Sequence, residues 1–328
     1  FVGIGLLPPL SFGMNPGIAY SIGQNWEQYG FQSGGVVGLT FSAVGFLVAY
    51  TVGIWLIRSG IKKGKAAYIE AKEGISEDVK KGILREPRAN KAEKITTSSE
   101  NIESFSFHIG LIGFTFILTY LVVYGMELGL IRIGAENEVT TLWSFHFIFA
   151  AIVALLLRKV MDATGASHIV DDVTMTRCSN LFMDFMIVAS VAAISLVVVM
   201  AYWLPLLLIS IAVTLATWGV VTVMVDQAFR EYRLERFAAV FGNMTGTLQS
   251  ALVLLRMVDS GMKSPASYNL VYGSGISLMI GFPLLILINA PVHYFESVTQ
   301  GFWIVSFALF AYLLILVVVW QYLNRNGA

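Results

Sequence analysis

The chain has 328 residues, of which 56% are hydrophobic and only 13% are charged. Soluble globular proteins carry about 25% charged residues, so the composition excludes an ordinary soluble domain and indicates an integral membrane protein. The 21 basic and 21 acidic residues give no net charge, and the single cysteine, Cys178, excludes an internal disulfide and any site with several cysteine ligands. Because the chain begins at Phe1 with no basic signal-peptide start, we expect further sequence to precede it.

A polar, glycine-bracketed interruption of an apolar segment is the first feature along the chain. It has the sequence GMNPG at residues 13–17, and a second one, GNMTG, occurs at residues 242–246. Irregular backbone is tolerated at membrane depth only where protein or a water-filled cavity covers it. Paired breaks in corresponding segments are typical of the binding sites of secondary transporters. The sequence therefore predicts two broken membrane segments that contribute to one transport site.

Several uncharged or nearly uncharged segments have the length of about 20 residues that a membrane-spanning helix needs. The segment 178–225 would extend about 72 Å as one helix, so we expect it to fold back at the aromatic and proline-containing stretch 201–205. The segment 237–255 is short and contains the second break. The predicted spans are residues 36–57, 104–126, 139–157, 178–200, 205–225, 264–288 and 301–323.

Residues 58–103 differ in kind, because they are rich in Lys, Glu and Ser and hold eleven of the 21 basic residues. The composition favours a solvated linker, and residues 69–84 have the pattern of a short amphipathic helix. The positive-inside rule places this linker in the cytoplasm. If the second broken segment enters the membrane and returns to the same side, all but one of the basic residues lie inside; the exception is Arg132. The C-terminus is then cytoplasmic as well.

This topology gives the spans that follow the two breaks opposite directions across the membrane. The breaks then belong to inverted repeats, which the sequence around Gly17 and Gly246 supports with a similar run of small and polar residues. The predicted fold is an all-α polytopic membrane protein, an inverted-repeat secondary transporter with two re-entrant broken segments. Its parts are the end of the first repeat (1–57), the linker (58–103), the second repeat (104–292) and an extra C-terminal transmembrane helix (293–328).

The residues around the first break resemble the sodium/glutamate symporter family. The run 11–20, followed by Glu27 and Tyr29-Gly30-Phe31, is similar to that family's re-entrant motif and its acidic-Tyr-Gly-Phe connection. Residues 171–194 and Asn289 are similar to later parts of the family pattern. The resemblance extends to about residue 292, although Phe12, Met14, Asn15 and Pro16 stand in place of the family's Gly, His and Thr. Relative to this pattern the chain lacks the leading helices of the first repeat.

The resemblance implies a Na⁺-coupled symporter of a small organic anion, glutamate or another carboxylate, in the inner cell membrane. It also implies an elevator-type mechanism and a homodimer. The sequence indicates no enzyme, no cofactor other than Na⁺ as a possible coupling ion, and no nucleic-acid partner. The alternative function is a membrane scaffold or partner subunit that does not transport.

Residues at and near the breaks are the candidate ligands for solute and ion, because half-helix N-termini suit a carboxylate while Asn and Thr oxygens suit Na⁺. Asn15, Asn243 and Thr245 are the candidate Na⁺ ligands. Alternatively, the glycines only allow close helix packing and these side chains only cap helices. Asp184 is either a functional acid within a span or a carboxylate near its end that reaches water or Arg177. The complete set of candidate site residues is Ser11, Gly13, Asn15, Gly17, Asp184, Gly242, Asn243, Thr245, Gly246, Thr247 and Asn289.

Overall fold

The computed structural model describes residues 2–69, 102–136 and 139–326, and these residues are mostly helical with no strand among them. The predicted amphipathic helix at 69–84 lies almost wholly outside the described residues. The helices are α1 (Leu7–Gly13), α2 (Pro16–Glu27), α3 (Gly34–Val48), α4 (Ile54–Lys62), α5 (Ser104–Arg132), α6 (Val139–Ser144), α7 (His146–Ala163), α8 (Asp172–Ala192), α9 (Leu196–Ala201), α10 (Trp203–Ala228), α11 (Arg233–Thr245), α12 (Leu248–Arg256), α13 (Ala266–His293) and α14 (Val298–Asn326).

Among the described residues, four helices are long and apolar enough to cross a membrane. They are Gly34–Lys62, Ser104–Arg132, Trp203–Ala228 and Val298–Tyr322. Their lengths of 25 to 29 residues exceed the roughly 20 residues that the hydrocarbon core requires. The prediction of an all-α, membrane-embedded protein is confirmed at this level.

Two predicted spans are interrupted. The segment predicted at 139–157 is divided at Phe145 into α6 and α7. The segment predicted at 178–225 is broken, as its excessive length requires, at two positions: after Ala192, and at Tyr202 between α9 and α10.

The chain forms two compact units, one made of residues 1–85 and 189–328 and the other of residues 86–188. These units cut across the predicted repeats, because the first unit contains both breaks. In the second unit α5 packs against α7. His108 is fully buried there; its Nδ1 lies 2.6 Å from the carbonyl oxygen of Ser104, and its Nε2 accepts from the backbone N–H of Asp171 at 2.9 Å. Both ring nitrogens of His108 are therefore engaged in hydrogen bonds within the second unit.

One helix organises the first unit. Helices α3 and α4 are joined without interruption by a π-helical segment, Ala49–Gly53, and we call the whole stretch Gly34–Lys62 the central helix. In its most apolar stretch 61% of the residues are buried, whereas this share is 11–17% in the other three potential spans. The central helix is thus the core of this unit, whereas the other three present most of their surface outward.

Both broken segments pack on the central helix. Helices α1 and α2 pack against each other and against α3, while α11 and α12 pack against each other and against the π-helical segment. Gly38 and Gly242 allow this close packing. A β-carbon added at Gly38 would lie 2.5 Å from the carbonyl oxygen of Ala19. One added at Gly242 would lie 2.6 Å from the Cα of Ala251. A side chain at either position would push the helices apart.

Candidate functional site at the two helix breaks

The two breaks have the same backbone conformation. In the first, Met14 has φ −120° and ψ −93°, and Asn15 follows in extended conformation with φ −164° and ψ 163°. In the second, Gly246 has φ −149° and ψ −110°, and Thr247 follows with φ −140° and ψ 177°. Each break is two residues long and leads directly into a new helix.

The backbone angles pair the residues differently from the sequence comparison. In conformation Met14 corresponds to Gly246 and Asn15 to Thr247, whereas the sequence comparison pairs Gly17 with Gly246. The second break is also narrower than the GNMTG motif predicts, because α11 continues through Asn243 and Thr245. The helix can continue there because Gly242 lets α11 approach α12 without unwinding.

The second residue of each break occupies the N-cap position of the following helix, but only the first of the two makes a side-chain cap bond. Asn15 Oδ1 accepts from the backbone N–H of Ile18 at 2.9 Å, which is the usual N-cap bond. Thr247 occupies the same position before α12 but makes no side-chain cap bond. Its hydroxyl oxygen is buried and has no hydrogen-bond partner among the described residues, and the residue is only 2% exposed. A buried polar atom without a partner is costly, so a ligand atom that bonds to the Thr247 hydroxyl would remove this cost.

The breaks meet at the middle of the central helix. A β-carbon added at Gly45 would lie 2.6 Å from the carbonyl oxygen of Thr245 and 3.3 Å from the ring of Phe12. One added at Gly246 would lie 3.3 Å from the ring of Phe46. The sequence prediction that the two breaks contribute to one place is consistent with this geometry.

Hydroxyl groups surround the meeting point. Ser11 is buried, and its Oγ lies 3.0 Å from the carbonyl oxygen of Leu7 and 3.1 Å from that of Gly38. Thr245 Oγ1 donates to the carbonyl oxygen of Phe241 at 2.7 Å. Ser250 Oγ donates to the phenol oxygen of Tyr50 at 3.2 Å. None of these side chains carries a charge, so any ion held here would be bound by neutral oxygens and helix ends.

Tyr50 and Ser250 are functional candidates that sequence reasoning missed. Tyr50 lies in the π-helical segment, and π-bulges inside α-helices are frequently found at functional sites. The available signal was a hydroxyl-bearing aromatic in the middle of an otherwise apolar span. Ser250 lies one turn into α12, where serine is common enough in membrane helices to attract no attention.

A carboxylate supports the connection after each break. Glu27 Oε1 accepts from the backbone N–H of Gly35 at 3.1 Å, at the start of α3. Asp259, which is 1% exposed, accepts from the backbone N–H groups of Lys263 at 2.9 Å and Ser264 at 2.7 Å, just before α13. The two broken segments therefore share a supporting contact as well as a backbone conformation.

Two further polar candidates are Asp184 and Asn289. Asp184 is exposed and belongs to the second compact unit. Asn289 is buried, and its Oδ1 accepts from Trp26 Nε1 at 2.9 Å. Trp26 lies eleven residues beyond Asn15 on α2, which corresponds to about 16 Å along the helix. Of the remaining candidates, Gly13 ends α1 and Gly17 is exposed in the first turn of α2.

The second break presents opposite partial charges. The first turn of α12 exposes backbone N–H groups and the positive end of a helix dipole, while the last carbonyl groups of α11 form a negative end. No cluster of three or more His, Cys, Asp or Glu side chains suitable for a metal occurs in the described part of the chain. What the break offers is neutral oxygens for a weakly held cation and N–H groups for an anion.

No protein-family model, curated protein or solved structure matches the chain.

Proposed function

We propose that the protein is a secondary active transporter that couples Na⁺ to the uptake of a small organic anion, glutamate or another carboxylate. The observation that carries this proposal is the pair of breaks with one backbone conformation, both packed on the same central helix. Structural repeats with broken helices near the membrane midplane form the binding sites of many transporters.

Helix lengths support the re-entrant part of the proposal. Helix α11 has 13 residues and α12 has 9, which correspond to about 20 Å and 14 Å at 1.5 Å per residue. Neither crosses a hydrocarbon core of about 30 Å. The two helices also pack against each other over a two-residue connection. A hairpin that enters and leaves by the same face has these properties.

The chemistry of the second break supports both ligands. Thr247 Oγ1 and the terminal carbonyl groups of α11 are suitable for Na⁺, and the N-terminus of α12 is suitable for a carboxylate. The repeats are inverted in this proposal, as the distribution of basic residues requires. The linker and the C-terminus are cytoplasmic, and the protein is a homodimer that moves its broken segments by an elevator-type mechanism in the inner membrane.

A scaffold or partner subunit without transport activity is the competing proposal. It is favoured by the side chains of Asn15 and Thr245, which both make hydrogen bonds within their own helical segments. Under this alternative the breaks only allow close packing, and the unpartnered hydroxyl of Thr247 has no ligand.

Uptake into proteoliposomes separates the two proposals. The purified chain is reconstituted, and accumulation of radiolabelled glutamate, aspartate, citrate and malate is measured with and without an inward Na⁺ gradient. We expect Na⁺-dependent accumulation of at least one carboxylate, reduced about tenfold by Thr247→Val and unaffected by the matched change Thr214→Val on α10. Folded protein that accumulates none of these solutes and gains no thermal stability from Na⁺ would support the scaffold function.

A further inference from the structure

A groove separate from the breaks lies at the end of the central helix. It has a volume of about 380 Å³, within the range of about 300–1,000 Å³ that is usual for small-ligand sites. Helix α4, the residues that follow it, α10 and α11 form its walls. Its lining includes Trp55, Lys63, Lys65, Trp218, Asp226 and Arg233.

The groove is basic at its mouth. Among its lining residues Lys63, Lys65 and Arg233 are cationic and only Asp226 is acidic. The single acid is weakly engaged: Asp226 Oδ1 lies 3.9 Å from Arg233 Nη1, and both side chains are more than half exposed. Such an exposed pair contributes little, so an anion with better geometry can compete for Arg233.

The two lysines are held at the mouth by the backbone. Gly64 has a positive φ of 67°, and Lys65 N–H donates to the carbonyl oxygen of Gly60 at 3.1 Å, which closes the C-terminus of α4. Arg233 is the first residue of α11, whose N-terminus adds a partial positive charge. The side chains of Lys63 and Lys65 therefore extend from the end of α4, and that of Arg233 from the start of α11.

The wall of the groove is apolar and aromatic below this mouth. Trp55 lies eight residues before Lys63, and Trp218 lies eight residues before Asp226, so each tryptophan is about 12 Å deeper along its helix than the charged end. Trp55 is 63% exposed and Trp218 is 39% exposed. The floor is closed where Gly60 contacts Leu234.

We propose that this groove binds an anionic phospholipid, with the headgroup phosphate among Lys63, Lys65 and Arg233 and the acyl chains along Trp55 and Trp218. Charge complementarity identifies the headgroup, since basic pockets between membrane helices bind anionic lipid headgroups. The apolar, outward-facing wall identifies a lipid rather than a free phosphate, because a free phosphate ion makes no favourable contact with apolar side chains. This site is independent of the transport site at the breaks.

Thermal stabilisation of the full chain in detergent by short-chain lipids tests the site. We expect dioctanoyl phosphatidylglycerol to raise the unfolding temperature saturably, and dioctanoyl phosphatidylcholine and inorganic phosphate to have no such effect. The double variant Lys63→Gln/Lys65→Gln should weaken the apparent affinity for phosphatidylglycerol about tenfold or more, because each basic residue near an anionic lipid surface contributes about fivefold. Lys62→Gln removes the same charge one residue away but outside the groove, so it should leave the affinity unchanged.

Two further variants examine the apolar wall. Trp55→Leu should weaken phosphatidylglycerol binding, whereas Trp303→Leu, which changes an exposed tryptophan on α14, should not. All variants are compared for unfolding temperature without lipid, and Arg233→Gln replaces the double variant if the latter is less stable. Equal affinity in Lys62→Gln and the double variant would overturn the proposal, as would stabilisation by inorganic phosphate alone or equally by phosphatidylcholine.

Discussion

The carbonyl oxygen of Thr245 lies 2.6 Å from the position that a β-carbon on Gly45 would occupy. Gly45 is therefore the place where the second broken segment touches the middle of the central helix. The first broken segment reaches the same glycine through Phe12. The absence of a side chain at this one residue allows the two breaks to approach each other.

Replacement of Gly45 should separate the breaks. Gly45→Ala introduces a contact too close for the backbone of Thr245, so we expect a loss of about 1–3 kcal/mol in the free energy of unfolding and loss of Na⁺-dependent uptake. The control is Gly219→Ala on α10, where an added β-carbon meets nothing within 4 Å. The control should be neutral or stabilising by up to about 1 kcal/mol. Equal stability of the two variants in thermal unfolding would contradict the close contact.

The hydroxyl of Thr247 is expected to be a ligand for Na⁺ or solute. Thr247→Val removes a buried oxygen that has no partner, so the ligand-free protein should be as stable as before or slightly more stable. Loss of a hydrogen bond to a charged ligand costs about 1.5–3 kcal/mol, or roughly tenfold or more in affinity. Titration of thermal stability with Na⁺ measures both effects.

Asn243→Ala and Thr245→Val extend this comparison to the ligands that the sequence suggested. Both residues lie within α11, and Thr245 Oγ1 already donates to Phe241. If they are ligands, both changes weaken Na⁺ affinity; if they only pack, both lower stability and leave affinity unchanged. Unchanged affinity in Thr247→Val, Asn243→Ala and Thr245→Val, all measured on folded protein, would remove the second break from the site.

Asp259 should matter more for stability than Glu27, although both support a connection after a break. Asp259 accepts two backbone N–H groups while buried, whereas Glu27 accepts one while exposed. Asp259→Asn retains one acceptor oxygen and loses a charge-assisted bond worth about 1.5–3 kcal/mol. Glu27→Gln should cost less than about 1 kcal/mol, because it keeps an acceptor and remains in water. Denaturant or thermal unfolding that ranks the two variants in reverse order would contradict this assignment.

The hydrogen bond between Trp26 and Asn289 is expected to stabilise the fold without contributing to ligand binding. Trp26→Phe leaves the buried Asn289 Oδ1 without its donor, which costs about 1–3 kcal/mol. Since this pair lies about 16 Å along α2 from the first break, Na⁺ affinity should not change. Trp303→Phe on the exposed face of α14 is the control for stability. A change in Na⁺ affinity in Trp26→Phe would return Asn289 to the binding site.

The orientation of the chain is tested by labelling with an impermeant thiol reagent. In a background with Cys178→Ala, a cysteine at Ser297 should react from outside. Cysteines at Ser260 and at Ser76, which lies outside the described residues, should be shielded. Tyr68 stacks on Tyr232, and the backbone N–H of Ala67 donates to Glu235 at 2.7 Å, so the first residues of the linker lie beside the start of α11, as this topology requires. Labelling of position 260 from outside would contradict the re-entrant topology.

The sequence by itself determined the class of protein and the positions of the breaks. Low charge and long apolar runs require helices in a membrane, because hydrocarbon leaves no other way to satisfy the backbone. A proline at position 16 disfavours helical backbone at Asn15 and suits the first position of a new helix, and glycine at position 246 weakens the helix that reaches it. These are local effects, and local residues are enough to predict them.

Only the tertiary structure decided which polar side chains at the breaks are left without a hydrogen-bond partner. Asn15 and Thr247 occupy equivalent positions, yet the first is satisfied by its own helix and the second is buried without a partner. Asn289 is a second example. Its asparagine side chain suggests a ligand, but its oxygen accepts a hydrogen bond from a tryptophan 263 positions away. Whether a polar atom is free depends on neighbours that are distant in sequence, and these are set by how helices pack rather than by the residues beside it.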